Sequence, residues 1–304
     1  MPATINLNRF DLVSLRLFVA TVEGGSLTAG AARFGISLAA ASKRIAELET
    51  HVGTALLLRS KRGVEPTAAG QALLRYAIEL AAGVEQLALT MDDFRRGAGG
   101  HLRLWANTSA FASLLPRVLA AYAASHPAVM LDLEDAISEE GVQAVQRGVA
   151  ELAVIGDNTP AEGLQTFVCE SDELVLVVPL GHAWAERASV PAAEVMAQDI
   201  VGMARSTSLM RQVAAAAATC GRQLRIRVQV RSFDAMCRMV AAGMGVAILP
   251  RAGAQAHLRA MGLRALRITD MQTERRLLLA MRDRAALSPP ARDFVDLVLA
   301  SATP

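Results

Sequence analysis

Apolar residues recur at helical spacing along the first third of the chain. Five of them share one face of a predicted first helix, namely Leu12, Leu15, Phe18, Val19 and Val22. A glycine pair ends this helix, Ser26 can cap a second helix over 27–34, and Ser37 can cap a third over about 38–52. The pattern therefore predicts three short helices in succession.

Two short extended segments follow, at 56–60 and 64–66, and a basic, glycine-containing turn joins them. This order predicts a β-wing. A long helix is then predicted from a Thr67 cap to about residue 96, and the Gly-Ala-Gly-Gly run at 97–100 predicts a hinge.

Beyond residue 100, short apolar strands alternate with helices. The predicted strands lie at 101–106, 129–134, 152–155, 174–179, 200–204, 226–230, 246–249 and 277–281. Predicted helices cover 110–125 and 139–148, and Ser288 can cap a final helix whose first turn contains Pro289. This alternation predicts parallel sheets covered by helices, so the expected fold class is α/β with an α-rich N-terminal domain.

Length and composition exclude several classes of protein. A chain of 304 residues suits two or three folded units, and its 53% hydrophobic and 20% charged residues are typical of a globular protein. The longest charge-free apolar stretch, 239–250, is shorter than the about 20 residues that a membrane-spanning helix needs. The N-terminal sequence lacks a secretory pattern and the three cysteines are far apart, which together predict a cytoplasmic protein.

Positive charge is concentrated in one part of a chain whose net charge is only +2. Between positions 33 and 62, two acidic residues stand against six basic ones, which are Arg33, Lys43, Arg44, Arg59, Lys61 and Arg62. Such a surplus can neutralise the phosphates of a nucleic acid, and it is equally typical of a solvated helix face.

The second and third predicted helices meet the requirements of a helix-turn-helix. The motif needs a small residue inside its first helix, so that the two helices can cross closely, then a glycine or polar residue at the turn and an apolar residue just after it. Ala31, Gly35 and Ile36 occupy these three places. The third helix would lie in the major groove with its N-terminal residues facing base edges, while Ala41 and Ile45 face inward. An ordinary helical hairpin is the alternative, and the adjacent wing and basic cluster favour DNA binding.

Residues 10–76 resemble the N-terminal domain of the LysR-type transcriptional regulators. The matching runs stand in order at 15–20, 25–28, 31, 37, 42–49, 53, 56–60 and 67–70, and the run at 241–250 resembles the effector domain of the same family. The resemblance implies a winged helix-turn-helix over 1–66, a linker helix over 67–96, a hinge at 97–100 and an effector-binding domain over 101–304.

The resemblance also implies which residues touch DNA. Ser42 and Lys43 are candidates for major-groove contacts, and Thr28 and Arg33 for backbone contacts. The full candidate set, with the rest of the third helix and the wing, is Thr28, Arg33, Ser37, Leu38, Ala39, Ala40, Ser42, Lys43, Arg44, Arg59, Lys61 and Arg62.

Three positions in two segments depart from the family pattern. Ser37-Leu38-Ala39 stands where Ser-Gln-Pro is usual, and Leu57 stands where Phe is usual. Leu38 can make only apolar contact, for instance with a thymine methyl. The chain is therefore expected to identify its site differently, or to depend more on phosphates and DNA shape.

The long helix carries an a/d heptad pattern over about three heptads. Its members are Leu73, Ala77, Leu80, Val84, Leu87, Met91 and Phe94. The pattern predicts pairing with a second copy, against the alternative of one helix packed on its own domain. A dimer places two recognition helices on half-sites about one DNA turn apart. The resemblance adds tetramers and RNA polymerase as expected assemblies and partners.

For the C-terminal part, the resemblance implies two Rossmann-like α/β lobes with a cleft between them, about 101–170 with 275–304 and about 171–274, joined by two crossover strands. Open α/β sheets bind ligands beyond the carboxyl ends of their strands, where helix N-termini offer free N–H groups. The candidate effector contacts at such ends are Thr108, Ser109, Asp157, Arg205, Ser206, Thr207, Ser232 and Phe233. Helix capping is the alternative role of each Ser and Thr. A small polar or anionic effector is expected, with Arg205 as a carboxylate partner.

Two other functions are less consistent with the sequence than a regulator. The sequence lacks the GxSxG, HExxH and P-loop motifs, and its five histidines and three cysteines have no catalytic or zinc-binding spacing. An enzyme is therefore not expected, nor is a metal or a cofactor. Residues 101–304 alone would permit a solute-binding module for transport, but the pattern at 10–96 and the missing secretory signal argue against it.

Overall fold

A computed structural model describes residues 10–60, 63–96 and 100–301. The chain forms two compact units that divide near Asp92. The predicted hinge lies outside the described residues except for Gly100. Within these ranges, no helix combines the length and the apolarity that crossing a bilayer requires.

Helices and a two-stranded wing make up the N-terminal unit. They are α1 (Leu12–Glu23), α2 (Leu27–Phe34), α3 (Leu38–Val52), β1 (Leu57–Ser60), β2 (Gly63–Pro66) and α4 (Ala68–Arg96). The predicted caps are confirmed, because Ser26 and Ser37 each accept a hydrogen bond from the backbone N–H three residues later, at 3.1 and 3.2 Å. Thr67 likewise accepts from the N–H of Gly70 at 3.0 Å.

The helices of this unit pack around a small apolar core. Ala41 and Ile45 are fully buried in it, so the inward face predicted for α3 is confirmed. α1 and α2 approach closely at Gly30, where an added methyl group would lie 3.0 Å from the Cα of Thr21. The turn between α2 and α3 uses Gly35 at a φ of 62°, in the left-handed region that glycine adopts without strain.

Strands β3 to β12 and helices α5 to α12 build the C-terminal unit. The strands are β3 (His101–Ala106), β4 (Met130–Asp135), β5 (Leu152–Gly156), β6 (Gln165–Pro179), β7 (Ser189–Pro191), β8 (Asp199–Gly202), β9 (Arg225–Gln229), β10 (Ala247–Pro250), β11 (Leu263–Thr269) and β12 (Glu274–Met281). The helices are α5 (Thr108–Ala112), α6 (Leu114–Ser125), α7 (Ser138–Gln146), α8 (Ala192–Val195), α9 (Ser208–Thr219), α10 (Phe233–Ala241), α11 (Arg251–Leu258) and α12 (Pro289–Ser301).

The main sheet is mixed, so the prediction of parallel sheets is correct for only part of it. In this sheet β3 pairs in parallel with β4 and β5, while β8 and β9 pair in parallel as a separate two-stranded sheet. β6 and β12 run antiparallel to each other, β5 is antiparallel to β12, and β10 and β11 are antiparallel to β6. Strand–helix alternation cannot reveal this reversal, because it reports the order of the elements and not their direction.

Two apolar cores divide the C-terminal unit. The first is built from residues between 102 and 169 and between 277 and 298, and the second from residues between 174 and 268. We call these parts lobe 1 and lobe 2. β6 belongs to both, since Cys169 is buried in the first core and Leu174 in the second. The unit is thus two-lobed, and β6 runs from one lobe into the other.

Three local predictions for this unit are incomplete. The helix predicted over 110–125 is two helices, because Ser113 has a φ of −130° and a ψ of −74° that interrupt it. β6 begins at Gln165 and not near 174, since its first half is rich in polar residues. The strand β11 is missing from the prediction, although it alternates buried with exposed residues, which was the available signal.

Candidate functional site

The N-terminal half of α3 presents an exposed surface on the N-terminal unit. The exposed residues are the capping Ser37 and, in the helix, Leu38, Ala39, Ala40, Lys43 and Arg44. Leu38 is 50% exposed, which is unusual for a leucine that only stabilises a core. Nζ of Lys43 lies 3.9 Å from Glu47, and an exposed pair at this distance contributes little. Lys43 is therefore available to an external anion.

Arg59 connects the wing to this surface. Its Nη1 atom donates to the Oγ of Ser42 at 3.4 Å, and its Nη2 atom lies 3.9 Å from Glu49. The Glu49 carboxylate in turn accepts hydrogen bonds from the backbone N–H groups of Leu56 and Leu57, at 2.8 and 3.1 Å. These contacts hold the start of the wing against α3, so that Ser42 and Arg59 share one surface.

Two further basic candidates already have carboxylate partners within the unit. Nη1 of Arg33 donates to Glu23 at 2.7 Å, and Nη1 of Arg44 lies 3.5 Å from Asp11. Both ion pairs are exposed and contribute little free energy, so either arginine can release its carboxylate partner and bind a phosphate instead. The remaining candidates are Thr28, which is exposed on α2, and Lys61 and Arg62, which lie outside the described residues.

An apolar stripe lies on α4. It consists of the exposed residues Leu80, Val84, Leu87 and Met91. Two predicted seam residues are not part of it, because Ala77 is fully buried in the core of the N-terminal unit and Leu73 packs against that core. The burial of Ala77 corrects the prediction that it contacts a second copy, and Leu73, which is partly buried, also stabilises its own unit. The side chain of Phe94 lies outside the described residues.

A cavity of about 460 Å³ opens between lobe 1 and lobe 2 of the C-terminal unit. The ends of β3, β4, β8 and β9 and the starts of the helices that follow them surround it. Its lining includes five of the predicted effector contacts, Thr108, Ser109, Ser206, Thr207 and Phe233. Segments that are far apart in sequence thus meet beyond the carboxyl ends of the strands, where open α/β sheets bind ligands. We call this space the interlobe cavity.

Three predicted contacts lie outside the lining of this cavity. Asp157 accepts a hydrogen bond from the backbone N–H of Arg276 at 3.2 Å. Ser232 caps α10 by accepting from the N–H of Ala235 at 3.2 Å, and Arg205 is exposed. A position next to a strand end does not fix the direction of a side chain, which is why these three differ from their neighbours.

Arg275 of β12 is buried at the interlobe cavity and is only 3% exposed. Its Nη1 atom donates to the Oγ of Ser109 at 3.1 Å, and its Nη2 atom donates to the Oγ of Ser208 at 2.9 Å. Its Nε atom has no hydrogen-bond partner in the part of the chain that the structure describes. Burial lowers the pKa of this guanidinium, while the carboxylates of Asp157 and Asp172 raise it. A buried cation with a donor to spare is suited to an anion.

Arg275 and Ser208 are cavity residues that the sequence patterns did not predict. Ser208 directly follows Thr207, whose hydroxyl oxygen caps α9. Arg275 lies before the predicted start of its strand. The available signal was period-two alternation, since Arg275 shares a face with Leu277 and Leu279, and all three are buried.

The interlobe cavity carries charges of both signs. Asp135 at the end of β4 and Glu140 in α7 line it from lobe 1, and Arg231 lines it from lobe 2. The hydroxyl of Thr108 donates to Asp135 at 3.4 Å. Partial burial nevertheless raises the pKa of the Asp135 carboxyl. A ligand in this cavity therefore meets both acidic and basic side chains.

Arg211 joins the two lobes beside the cavity. Its guanidinium forms an ion pair with Glu139 and donates to the hydroxyl of Thr159 at 3.0 Å, both in lobe 1. The same guanidinium donates to the carbonyl of Ser206 at 2.8 Å in lobe 2. Asn158 adds a hydrogen bond of 2.9 Å to a backbone carbonyl of α9. These contacts cross from one lobe to the other at the rim of the site.

Two family profiles match the chain. The profile described as "Bacterial regulatory helix-turn-helix protein, lysR family" matches residues 12–71, and "LysR substrate binding domain" matches residues 95–303. An uncharacterised HTH-type transcriptional regulator of Mycobacterium bovis is 29% identical over 299 residues, which cover 94% of this chain and 95% of the relative.

Solved structures share the fold. The LysR family regulator CbnR, solved alone and with its target DNA, gives TM-scores of 0.68 and 0.66 at 21% and 22% identity, covering 97% and 96% of this chain and 100% of each CbnR chain. The regulatory domain of Synechocystis PCC6803 CcmR in complex with 2-PG gives 0.62 at 21% identity, covering 67% of this chain and 98% of that domain. The two-unit fold, its exposed helix α3 and the two profile matches lead to one conclusion: this chain belongs to the LysR family of bacterial helix-turn-helix transcriptional regulators.

Proposed function

We propose that this regulator binds operator DNA as a dimer and that a small anionic effector in the interlobe cavity modulates the binding. The observation that carries the proposal is Arg275, a buried guanidinium at the cavity whose Nε atom has no hydrogen-bond partner among the described residues. In this proposal Arg275 is the partner of the effector's anionic group, the role that the sequence predicted for Arg205. Complexes of related regulatory domains with 2-PG and with shikimate support a small-molecule ligand.

For DNA, we assign the contacts to the exposed face of α3 and to the wing. Lys43, Arg59 and the wing bases at 61 and 62 would neutralise phosphates, which position the protein without specifying sequence. Leu38 would contact a thymine methyl or another apolar part of a base edge. The structure of CbnR complexed with its target DNA supports DNA as the ligand of this fold.

For assembly, we assign the dimer seam to the α4 stripe of Leu80, Val84, Leu87 and Met91.

We place the lobe boundaries of the C-terminal unit at about 101–170 with 275–304, and at about 171–274. A cytoplasmic location, a tetramer and contact with RNA polymerase complete the proposal, and they rest on family membership.

Coupling between the two functions requires that the effector favour one arrangement of the lobes over another. Arg275 is placed for this, since it bonds Ser109 in lobe 1 and Ser208 in lobe 2. A bound anion would compete for the same guanidinium and would change how tightly the two hydroxyls are held. The contacts of Arg211 at the rim would then be strengthened or released.

The DNA half of the proposal is tested by selecting bound fragments from the encoding genome with the purified full-length chain, and measuring their affinity by fluorescence anisotropy. We expect binding that weakens steeply with salt. Lys43→Ala should weaken it about tenfold, whereas Arg264→Ala, which removes an exposed charge in the C-terminal unit, should not. Equal losses of DNA affinity in the two variants would overturn the assignment of DNA contacts to α3.

The effector half is tested with a library of small carboxylates and phosphate esters. We expect at least one to raise the melting temperature of the wild-type chain and to change its affinity for the selected DNA. The same compound should have no effect on Arg275→Lys. A compound that acts equally on both proteins would show that the effector binds elsewhere.

A further inference from the structure

Acidic and basic side chains both line the interlobe cavity. Lobe 1 contributes the carboxylates of Asp135 and Glu140 together with the guanidinium of Arg275, and lobe 2 contributes the guanidinium of Arg231. A simple anion would satisfy only the basic side of such a site. A second anionic group on the ligand would be repelled if it lay beside Asp135 and Glu140.

Asp135 lacks a cationic partner within the described chain. The hydroxyl of Thr108, at 3.4 Å, is a weak donor to it. The carboxyl also loses solvation at the cavity wall, and its pKa is raised for that reason. A protonated amine held beside Asp135 would compensate its carboxylate for the lost solvation.

The cavity also has an apolar part. Met203, Leu209 and Phe233 of lobe 2 line it, and each is almost completely buried. The volume of about 460 Å³ lies in the lower part of the range of small-molecule sites. The space therefore suits a small ligand with an apolar substituent between its charged groups and lobe 2.

We propose that the effector is an amino acid or an amino-acid-like zwitterion, whose carboxylate binds at Arg275 and whose amine binds at Asp135. This inference rests on the proposed function, because it places the ligand in the same cavity. A zwitterion pairs with an acidic and a basic group at once, which a plain carboxylate does not, and it engages the guanidinium that also bonds Ser208 of lobe 2. Asp135 is thus the residue that determines the class of effector.

The probes are the twenty standard L-amino acids, each added to the full-length chain while its melting temperature is followed. For any that bind, affinity is then measured by calorimetry for three forms of the molecule. For leucine these would be leucine itself, 4-methylpentanoate without the amine, and 3-methylbutylamine without the carboxylate. We expect the amino acid to bind at least about tenfold more tightly than either truncated form, since each loses a charge-assisted contact.

Two variants assign the amine to its partner. Asp135→Asn should weaken the amino acid at least about tenfold and leave 4-methylpentanoate unchanged, because only the former carries the amine. The matched control is Glu134→Gln, which neutralises the adjacent exposed carboxylate of β4 that does not line the cavity, and it should bind as wild type does.

The outcomes separate this inference from the proposed function. Carboxylates without an amine could bind as tightly as amino acids, with Arg275→Lys abolishing the binding of both. In that case the proposed anion site at Arg275 is supported and the inference of a zwitterionic effector is wrong. The zwitterion is also wrong if Asp135→Asn leaves amino-acid binding intact. If no amino acid and no carboxylate binds, both ideas fail together.

Discussion

The Nη2 atom of Arg275 lies 2.9 Å from the Oγ of Ser208, so that a strand which packs in lobe 1 is bonded to the first residue of α9 in lobe 2. The same guanidinium bonds Ser109 at the start of α5 through its other terminal nitrogen. A planar group with several donors in fixed directions is needed to reach two hydroxyls from different lobes. Arg275 is therefore both a structural link and the basic group of the cavity.

Arg275→Lys should weaken this link. An ammonium group is a compact donor without the fork, and it cannot hold both Ser109 and Ser208. We expect the C-terminal unit to lose about 1–3 kcal/mol of unfolding free energy, the magnitude of a buried hydrogen bond to a charged group. Urea unfolding followed by tryptophan fluorescence reports on this unit, since both tryptophans, Trp105 and Trp184, belong to it. Arg276→Lys, at the exposed neighbouring position, is the control, and an equal loss in both would contradict the prediction.

Gly30→Ala should disturb the packing of α1 on α2. The added methyl group would overlap Thr21, where backbone as well as side chain is close, so the two helices must move apart. Overpacking of this kind costs about 1–3 kcal/mol. Hydrogen exchange followed by mass spectrometry should show faster exchange over residues 12–34. Ala32→Ser, an exposed change on the same helix, should leave exchange as it is. Unaltered exchange in Gly30→Ala would show that the core adapts.

Leu87→Asp should weaken self-association. Leu87 is 57% exposed in the middle of the α4 stripe, and a carboxylate there would be buried without a partner if α4 pairs with a second copy. We expect the dimer dissociation constant to rise by at least about tenfold in sedimentation equilibrium. Leu180→Asp makes the same change at an exposed leucine of the C-terminal unit and should have no such effect. An unchanged assembly in Leu87→Asp would remove the stripe as the seam.

The three cysteines should differ in reactivity. Burial raises the pKa of the Cys169 thiol to about 12, with a smaller contribution from Glu170, and raises that of Cys237 to about 11. Both thiols therefore stay protonated at pH 8, and a protonated thiol is a poor nucleophile. Iodoacetamide at that pH should modify the partly exposed Cys220 first, as mass spectrometry of the peptides would show. All three should react in urea, and rapid labelling of Cys169 in the folded chain would be the contrary result.

The local elements of this protein are encoded within a few residues each, which is why they are predictable from the sequence. Ser26 and Ser37 accept hydrogen bonds from N–H groups three residues away, and the left-handed turn at Gly35 depends on that residue alone. The helix-turn-helix and the family resemblance follow from such short-range patterns. The helix starts near Thr108 and Thr207 also follow, because each lies within a few residues of the end of an apolar strand.

The direction of β6 and β12, the burial of Ala77 and the role of Arg275 depend on contacts between distant parts of the chain. Arg275 bonds Ser109 across 166 positions of sequence, so no local pattern indicates that pairing. Ala77 fits a heptad seam equally well until the packing of α1, α3 and α4 encloses it. Sequence periodicity specifies which face of an element is apolar, whereas only the folded chain decides which partner covers that face and which charge is left buried beside a cavity.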